Sequence, residues 1–251
     1  MKVLLIDPGK KYLEKEYTRL IKPYPNIGLI YIGTYLQSKG IAVDFLDVEI
    51  EKITDQEFGS YLLEKKPDIV GITTLTYMIQ DAYHYAEAVK KADQNIKVVF
   101  GGAHASALSD EVLANENVDV AVLAEGELVL ENIVKLLKAG EFNSDHLKNI
   151  DGIAFRDANH NIIKTKITFM ENLDQLPFPD WSLAPYHKYA KINSHKYGEN
   201  IPLYQISASR GCPFRCAFCF PLHGRKVRGR SSQNIFMEMK HLRKLLKKFA
   251  Y

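Results

Sequence analysis

Apolar and polar positions alternate with two different periods along the first 140 residues. Short runs rich in valine and isoleucine are each followed by a segment in which apolar residues recur every three or four positions. These patterns predict strands at 3–7, 41–47, 68–74, 96–102 and 118–126, and helices at 28–40, 55–66, 79–92, 106–115 and 127–139. Because strands this apolar are buried on both faces, we predict an α/β fold with a doubly wound, five-stranded parallel sheet in the order 2-1-3-4-5.

A connector is predicted over residues 141–200. It begins with a hairpin that turns at Asp157 to Asn161, and continues with a stretch rich in proline and aromatic residues. We interpret this stretch as a rigid linker whose aromatic residues pack against the regions on both sides. Trp181 is accordingly interpreted as a packing anchor rather than as a platform for a substrate.

One further strand–loop–helix unit is predicted from 201 to 251. The segment 203–209 is typical of a short strand, and the residues after Gly229 form an amphipathic helical pattern. Ser231 or Ser232 is the expected N-cap of that helix. The chain is therefore predicted to have three regions, at 1–140, 141–200 and 201–251.

The composition is that of an ordinary globular protein of one or two domains. The chain has 251 residues, of which 46% are hydrophobic and 25% charged. No apolar run approaches the 18 residues of a membrane span, and the first residues lack the apolar core and cleavage site of a signal peptide. We therefore expect a cytoplasmic protein without a membrane span.

Positive charge is concentrated at the end of the chain. From Arg210 onward there are eleven Lys or Arg residues and one acidic residue, Glu238, so this part carries +10 and the preceding part −7. A basic segment can bind nucleic acid. We favour a solvated helix face together with arginines near an anionic cofactor, because the basic residues after 239 lie mainly on the polar side of the predicted helix.

All three cysteines lie within eight residues, in the arrangement C-x3-C-x2-C. They are Cys212, Cys216 and Cys219. Three thiolates can hold three irons of a [4Fe–4S] cluster, which normally takes four, so that one iron is left open to a small molecule. Gly211 and Pro213 suit a tight loop around such a cluster, because one permits unusual dihedral angles and the other fixes one.

A zinc site is the main alternative for these cysteines. Together with His223 they could form a Cys3His site, and the basic end would then suggest a zinc-stabilised nucleic-acid-binding protein. We interpret His223 itself as a loop histidine. A disulfide is disfavoured, because the number of cysteines is odd and nothing marks the chain as secreted.

The loops that follow the predicted strands supply candidate contacts for a ligand. In a doubly wound sheet, ligands bind at the carboxyl ends of the strands. Paired glycines there allow the backbone to approach a ligand closely, and hydroxyl groups offer hydrogen bonds. The candidate residues are Asp7, Thr73, Thr74, Thr76, Gly101, Gly102, His104, Glu125 and Gly126.

The segment ISASRGCPFRCAFCF resembles the cluster-binding loop of the radical S-adenosylmethionine (SAM) enzymes. The resemblance implies that the three cysteines hold a [4Fe–4S] cluster, that SAM chelates its open iron, and that Phe218 lies near the SAM adenine. It also implies that SAM is cleaved reductively to a 5′-deoxyadenosyl radical. The electron would come from a partner such as a flavodoxin or ferredoxin.

The order of motifs in the first region resembles the cobalamin-binding domain that precedes a radical SAM domain in cobalamin-dependent methyltransferases and cyclases. The motifs are MKVLLIDP, PNIGLIYIGTYLQSKG, DIVGITTLT, KVVFGGAHAS and VDVAVLAEGE. The resemblance covers nearly the whole chain. It implies a flavodoxin-like cobalamin-binding domain at 1–140, with the nine candidate residues as cobalamin contacts, and the first βα unit of a partial radical SAM TIM barrel at 201–251.

One motif of the wider cobalamin-binding family is missing. Methionine synthase and the mutases carry D-x-H-x-x-G after the first strand, whereas Asp7 is followed here by Pro8 and Gly9 without a histidine. Cobalamin is therefore expected to bind with its base displaced. His104 is expected to contact the nucleotide tail of the cofactor or the sheet edge, although a plain turn histidine explains it equally well.

These observations favour the N-terminal part of a cobalamin-dependent radical SAM enzyme. Its chemistry would be methyl transfer to, or cyclisation or rearrangement of, an unactivated carbon of a small-molecule substrate. Only one strand and one helix follow the connector, so we expect an incomplete barrel, which a separate chain could complete, and little activity from this chain alone. The alternatives are a cobalamin- or small-ligand-binding module without catalysis and the zinc protein described above.

Overall fold

The structure, a computed structural model, describes residues 1–11, 24–189 and 204–249, with side chains to 245. The end of the predicted connector and the start of the predicted strand at 203–209 lie outside the described residues. Within the described part, a sheet has the strand order β2-β1-β3-β4-β5-β6-β7. Its strands are β1 (Lys2–Asp7), β2 (Ala42–Asp47), β3 (Ile69–Thr73), β4 (Lys97–Gly101), β5 (Val120–Val122), β6 (Ile153–Arg156) and β7 (Ile162–Lys164).

The first five strands are parallel and are joined by helices, as the sequence pattern predicts. The order 2-1-3-4-5 of these strands is confirmed. The connecting helices are α1 (Ile27–Ser38), α2 (Val48–Glu51), α3 (Asp55–Lys65), α4 (Ile79–Ala92), α5 (Ala103–Ala107), α6 (Ser109–Ala114) and α7 (Glu127–Ala139), followed by α8 (Ser144–Leu147).

Two apolar cores lie on the opposite faces of the sheet. Alternate residues of β1 divide between them, with Leu4 and Ile6 in one core and Val3 and Leu5 in the other. These four side chains are at most 1% exposed. This double burial explains why the strands are apolar throughout rather than alternating.

The predicted hairpin is present, but it extends the sheet. Strand β6 pairs antiparallel with β5 and with β7, so that the connector begins as two further strands of the main sheet. The sequence prediction of a five-stranded sheet is therefore wrong in strand number. The physical reason is that β5 would otherwise be an edge strand with unpaired backbone groups, and the hairpin covers that edge.

Two other elements differ from their predictions. The helix predicted at 106–115 is split into α5 and α6, because Leu108 leaves the helical region, with φ −126° and ψ 43°. The strand predicted at 118–126 is paired only at Val120–Val122.

Residues 209–229 carry the three cysteines and are called the cysteine segment below. A small two-stranded sheet closes this segment at its base. Strand β8 (Ser209–Arg210) pairs antiparallel with β9 (Arg228–Gly229), and helix α9 (Ser232–Phe249) follows. The prediction of a strand is wrong for 204–208, because β9 supplies backbone partners only at 209 and 210. Ser231 is confirmed as the N-cap, since its hydroxyl accepts a hydrogen bond from the Asn234 amide at 3.1 Å.

The connector packs this segment against the first region. Trp181 is 3% exposed and lies in an apolar cluster with Ile30 of α1, Ile50 of α2 and Leu242 of α9. Its predicted role as a packing anchor is thus confirmed. Among the described residues, no helix combines the length and the apolar character that spanning a membrane requires.

Candidate functional site

The ends of strands β3 and β4 are joined by a network of backbone and hydroxyl hydrogen bonds. The Thr74 amide donates to the Gly101 carbonyl at 2.7 Å, and the Thr74 hydroxyl donates to the same oxygen at 2.8 Å. Gly102 adopts φ +93°, and a β carbon there would lie 2.7 Å from the Thr74 carbonyl oxygen. Only glycine suits this position. The neighbouring Gly101 borders an open space.

That space is an apolar cavity of about 350 Å³ at the carboxyl edge of the sheet. Its walls come from the sheet, from helices α1 and α7, and from the cysteine segment. The sheet and the two helices contribute mainly aliphatic side chains, while Arg210, Leu222 and His223 contribute the wall opposite. A cavity of this size, largely apolar with a few polar groups, is typical of small-molecule and cofactor sites.

Five of the nine predicted contacts line this cavity. They are Thr73, Gly101, Gly102, Glu125 and Gly126. Three others, Thr74, Thr76 and His104, do not line it. Thr74 is fully buried and serves the loop network, while His104 has its Nδ1 atom 3.2 Å from the Thr76 hydroxyl and its Nε2 atom 3.5 Å from the Glu111 carboxylate. His104 therefore belongs to the support of the loops rather than to the cavity wall.

Asp7 lies in a smaller, acidic cavity next to the first one. This cavity has a volume of about 220 Å³ and is also lined by Asp47 and Glu49. Burial raises the pKa of Asp7, and burial together with the charge of Asp7 raises the pKa of Asp47 to about 6. The side chain of Asn26 connects the two cavities, since it lines both and donates to the Asp7 carboxylate at 3.1 Å.

Several cavity residues were not predicted from the sequence. Asn26 caps α1, because its side chain accepts a hydrogen bond from the Leu29 amide at 3.2 Å, and Ile32 is the sixth residue of the same helix. An asparagine directly before a helical pattern is a capping signal that could have pointed to Asn26. For Arg210 and His223 the sequence offers no such signal, because their position depends on how the cysteine segment docks.

Glu125 contacts three polar residues of the cysteine segment, across the cavity from the sheet. It is 8% exposed, and its carboxylate accepts two hydrogen bonds from Arg228, at 2.7 and 3.0 Å. His223 Nδ1 lies 3.3 Å from the same carboxylate and Arg210 lies 3.5 Å away. Burial alone would raise the pKa of Glu125, but the bonds from His223 and Arg228 and the charge of Arg210 outweigh it and lower the pKa to about 2.

A second carboxylate holds Arg210 from the other side. Glu127, at the first position of α7, accepts a hydrogen bond from Arg210 at 2.6 Å, and the Arg210 guanidinium also lies over the Tyr31 ring, 5.5 Å from its centroid. Burial would lower the pKa of Arg210, but the two carboxylates overcome this effect and raise it. Arg210 is therefore a fixed cation, two residues before the first cysteine.

The three cysteines lie in an exposed loop closed at its base. Each is exposed and none is in a disulfide. The Cys212 amide donates to the Gly224 carbonyl at 3.1 Å, and Gly211, with φ +91°, packs against the backbone of Lys226. The ring of Phe218, the predicted SAM contact, is 93% exposed.

The donor chemistry of this loop fits a cluster with three thiolate ligands. In the described part of the chain no three histidine, cysteine or acidic side chains are grouped closely enough to hold a metal ion, so cluster binding would require the cysteine side chains to turn toward one another. Among the described residues, His223 and the three cysteines are not grouped as a Cys3His site either, and His223 Nδ1 lies 3.3 Å from Glu125 Oε1.

Comparisons with known proteins identify the first region of the chain. Residues 21–134 match the family model described as the B12 binding domain. The chain is 29% identical over 95% of its length to an uncharacterised methyltransferase of Pyrococcus horikoshii, and 30% identical over 87% to the anaerobic magnesium-protoporphyrin IX monomethyl ester cyclase of Rubrivivax gelatinosus. It covers 50% and 38% of these two relatives.

The fold is shared with a solved structure. The cobalamin-dependent S-adenosylmethionine radical enzyme OxsB, with aqua-cobalamin and S-adenosylmethionine bound, superposes with a TM-score of 0.81 at 20% identity, over 99% of this chain and 32% of OxsB. The chain thus spans about half or less of the length of these proteins. It shares the fold of a cobalamin-dependent radical SAM enzyme, it has methyltransferase and cyclase homologues, and within it residues 21–134 match the B12 binding domain.

Proposed function

We propose that this chain binds cobalamin in the apolar cavity and a [4Fe–4S] cluster on Cys212, Cys216 and Cys219, as part of a radical SAM methyltransferase or cyclase. One observation carries the proposal above the others. The cavity in the region that matches the B12 binding domain is closed by residues that flank the cysteine loop, so that a ligand in the cavity and a cluster on the loop would be neighbours.

The cavity residues suit the aromatic base of a cobalamin tail. Leu5, Leu29, Val99 and Leu130 give apolar walls, and Gly101 leaves room for a flat ring between the loops. Asn26 and Thr73 offer hydrogen bonds at the polar part of the lining. The residues after β1 include no histidine that could take the place of the base on cobalt.

The loop residues suit a cluster that is open to SAM. The three thiols are exposed and none is in a disulfide, so their side chains can turn toward one another to ligate iron. A bound cluster with SAM would supply a carbon-centred radical, and cobalamin a carrier for a methyl group. The exposed Phe218 is proposed to pack on the adenine of SAM.

A cobalamin titration tests the first half of the proposal. Methylcobalamin added to the purified chain in the dark should bind and shift its absorption spectrum to the base-displaced form. An analogue that lacks the nucleotide tail should bind about tenfold more weakly or worse, because the apolar cavity then stays unfilled. Equal affinities for the two compounds would show that the cavity is not the site of the tail.

Anaerobic reconstitution with iron and sulfide tests the second half. We expect about four irons per chain, and a reduced-state EPR signal that SAM alters. Changing all three cysteines to alanine should lower the bound iron to below about one per chain, because no thiolate ligand remains. The change His241→Gln, in α9 and outside the loop, is the control. Zinc in place of iron would favour the zinc interpretation instead.

A further inference from the structure

Glu125 receives hydrogen bonds from three separate parts of the later chain. Besides the contacts with Arg228 and His223, its carboxylate accepts a bond from the Met170 amide at 3.2 Å. Arg228 in turn donates to the carbonyl of Met170 at 2.8 Å and to the carbonyl of His223 at 2.9 Å. A single carboxylate of the first region therefore organises both strands that hold the cysteine loop.

The two arginines that contact Glu125 are buried, so the loss of the Glu125 charge is costly. Arg228 is 4% exposed and Arg210 has a side chain that is 9% exposed. Buried cations that lose their carboxylate are left uncompensated, and this is much more costly than the loss of an exposed ion pair. The docked position of the loop is thus strongly preferred as long as Glu125 carries its charge.

The same residues form the wall of the cavity. Glu125, Glu127, Arg210 and His223 all line it. When the cysteine segment moves away, the cavity loses one side. A ligand that touches both walls must therefore favour the docked loop, and by thermodynamic reciprocity the docked loop must favour the ligand to the same extent.

We infer that Glu125 is a positioning residue, which docks the cysteine loop on the cavity and so links occupancy of the cavity to order in the loop. The docking role stands on the contacts of Glu125 alone. The link to cobalamin rests on the proposed function, since it takes cobalamin as the occupant. Glu125 holds the loop through Arg228, Arg210 and His223, and no contact between its side chain and a reacting atom is required.

Hydrogen exchange followed by mass spectrometry tests the docking role without any cofactor. In Glu125→Gln, the amides of Cys212 and Arg230, which bond to Gly224 and Ala208, should exchange at least about tenfold faster than in the unaltered chain, the size of one lost charge-assisted bond. The control is Glu131→Gln, because Glu131 is also buried but bonds to Tyr35 and Lys135. It should leave the exchange of these amides unchanged.

Methylcobalamin tests the link. At saturation it should slow the exchange of the same two amides several-fold in the unaltered chain and little in Glu125→Gln. Its Kd should rise by the same several-fold factor in Glu125→Gln, by reciprocity, and Glu125→Asp, which keeps the charge, should recover part of the affinity. Should Glu125→Gln fail to fold, Arg228→Gln removes the two hydrogen bonds to Glu125 from the side of the loop and should reproduce both effects.

The outcomes separate the two proposals. Unchanged exchange in Glu125→Gln and Arg228→Gln overturns the docking role, whatever happens to cobalamin. Weaker cobalamin binding with unchanged loop exchange also overturns it, because Glu125 would then be a wall residue only. If the unaltered chain binds no methylcobalamin, the proposed function and the link both fail, while the cofactor-free experiment still decides the docking role.

Discussion

The change Gly101→Leu is expected to weaken the binding of cobalamin by about 100-fold, the size of a severe overpacking of one site. Gly101 is the last residue of β4 and lies two positions after Val99, on the same face of the strand. A side chain at position 101 would therefore point into the cavity that Val99 lines. A β carbon at Gly101 would meet only the Val122 β carbon, at 3.8 Å, which is an ordinary contact. A leucine therefore occupies the cavity without disturbing the backbone. Absorption titrations with methylcobalamin measure the effect.

A matched control is available in the same region. Gly59 lies within α3, and a β carbon there meets nothing within 4 Å. The change Gly59→Leu should leave the Kd for cobalamin as it is. Both variants should have melting temperatures close to that of the unaltered chain. If Gly101→Leu binds cobalamin normally, the cavity is not the binding site.

The change Gly211→Ala is expected to open the base of the cysteine loop and to abolish cluster loading. A β carbon at Gly211 would overlap the Lys226 carbonyl oxygen and lie 3.2 Å from that of His223, and both neighbours are backbone atoms that cannot rotate away. The φ of +91° adds strain for any residue with a β carbon. Together these effects should cost about 2–5 kcal/mol of local stability. Iron content after anaerobic reconstitution and hydrogen exchange at Cys212 measure the result.

Gly229 provides the matched control for this change. It lies in β9, in the same two-stranded sheet, its φ is outside the left-handed region, and a β carbon there would meet nothing within 4 Å. The change Gly229→Ala should retain the iron content and the protection of the unaltered chain. Normal iron loading in Gly211→Ala would mean that the loop binds its cluster in a conformation different from the one in this structure.

The two variants also bear on the role inferred for Glu125. Gly101→Leu fills the cavity and leaves the contacts of Glu125 intact, whereas Gly211→Ala disturbs the loop and leaves the walls formed by the sheet, α1 and α7 intact. If the cavity and the loop are linked, Gly211→Ala should also weaken cobalamin binding, by a smaller factor than Gly101→Leu. An unchanged cobalamin affinity in Gly211→Ala would show that the two sites are independent.

The sequence by itself determined the central architecture of this protein. Five apolar runs and the helical periods between them were enough to predict the parallel sheet, because burial on both faces leaves a clear pattern in the residues. The strand order was predicted as the common one for such sheets, and it is confirmed. Glycine pairs and hydroxyls after the strands pointed to the carboxyl edge of the sheet. The spacing of three cysteines singled out one loop, because their clustering needs no tertiary information to be noticed.

Only the tertiary structure decided how these parts meet. It placed the hairpin on the edge of β5. It showed that Thr73 and Gly101 line the cavity, whereas His104 does not. It also brought Arg210, His223 and Arg228 to Glu125. The contacts of Glu125 with Arg210, His223 and Arg228 join residues 85 or more positions apart. No local propensity or periodicity encodes such pairs, because their energy arises from burying complementary charges that meet only after the connector has folded against α1 and α9.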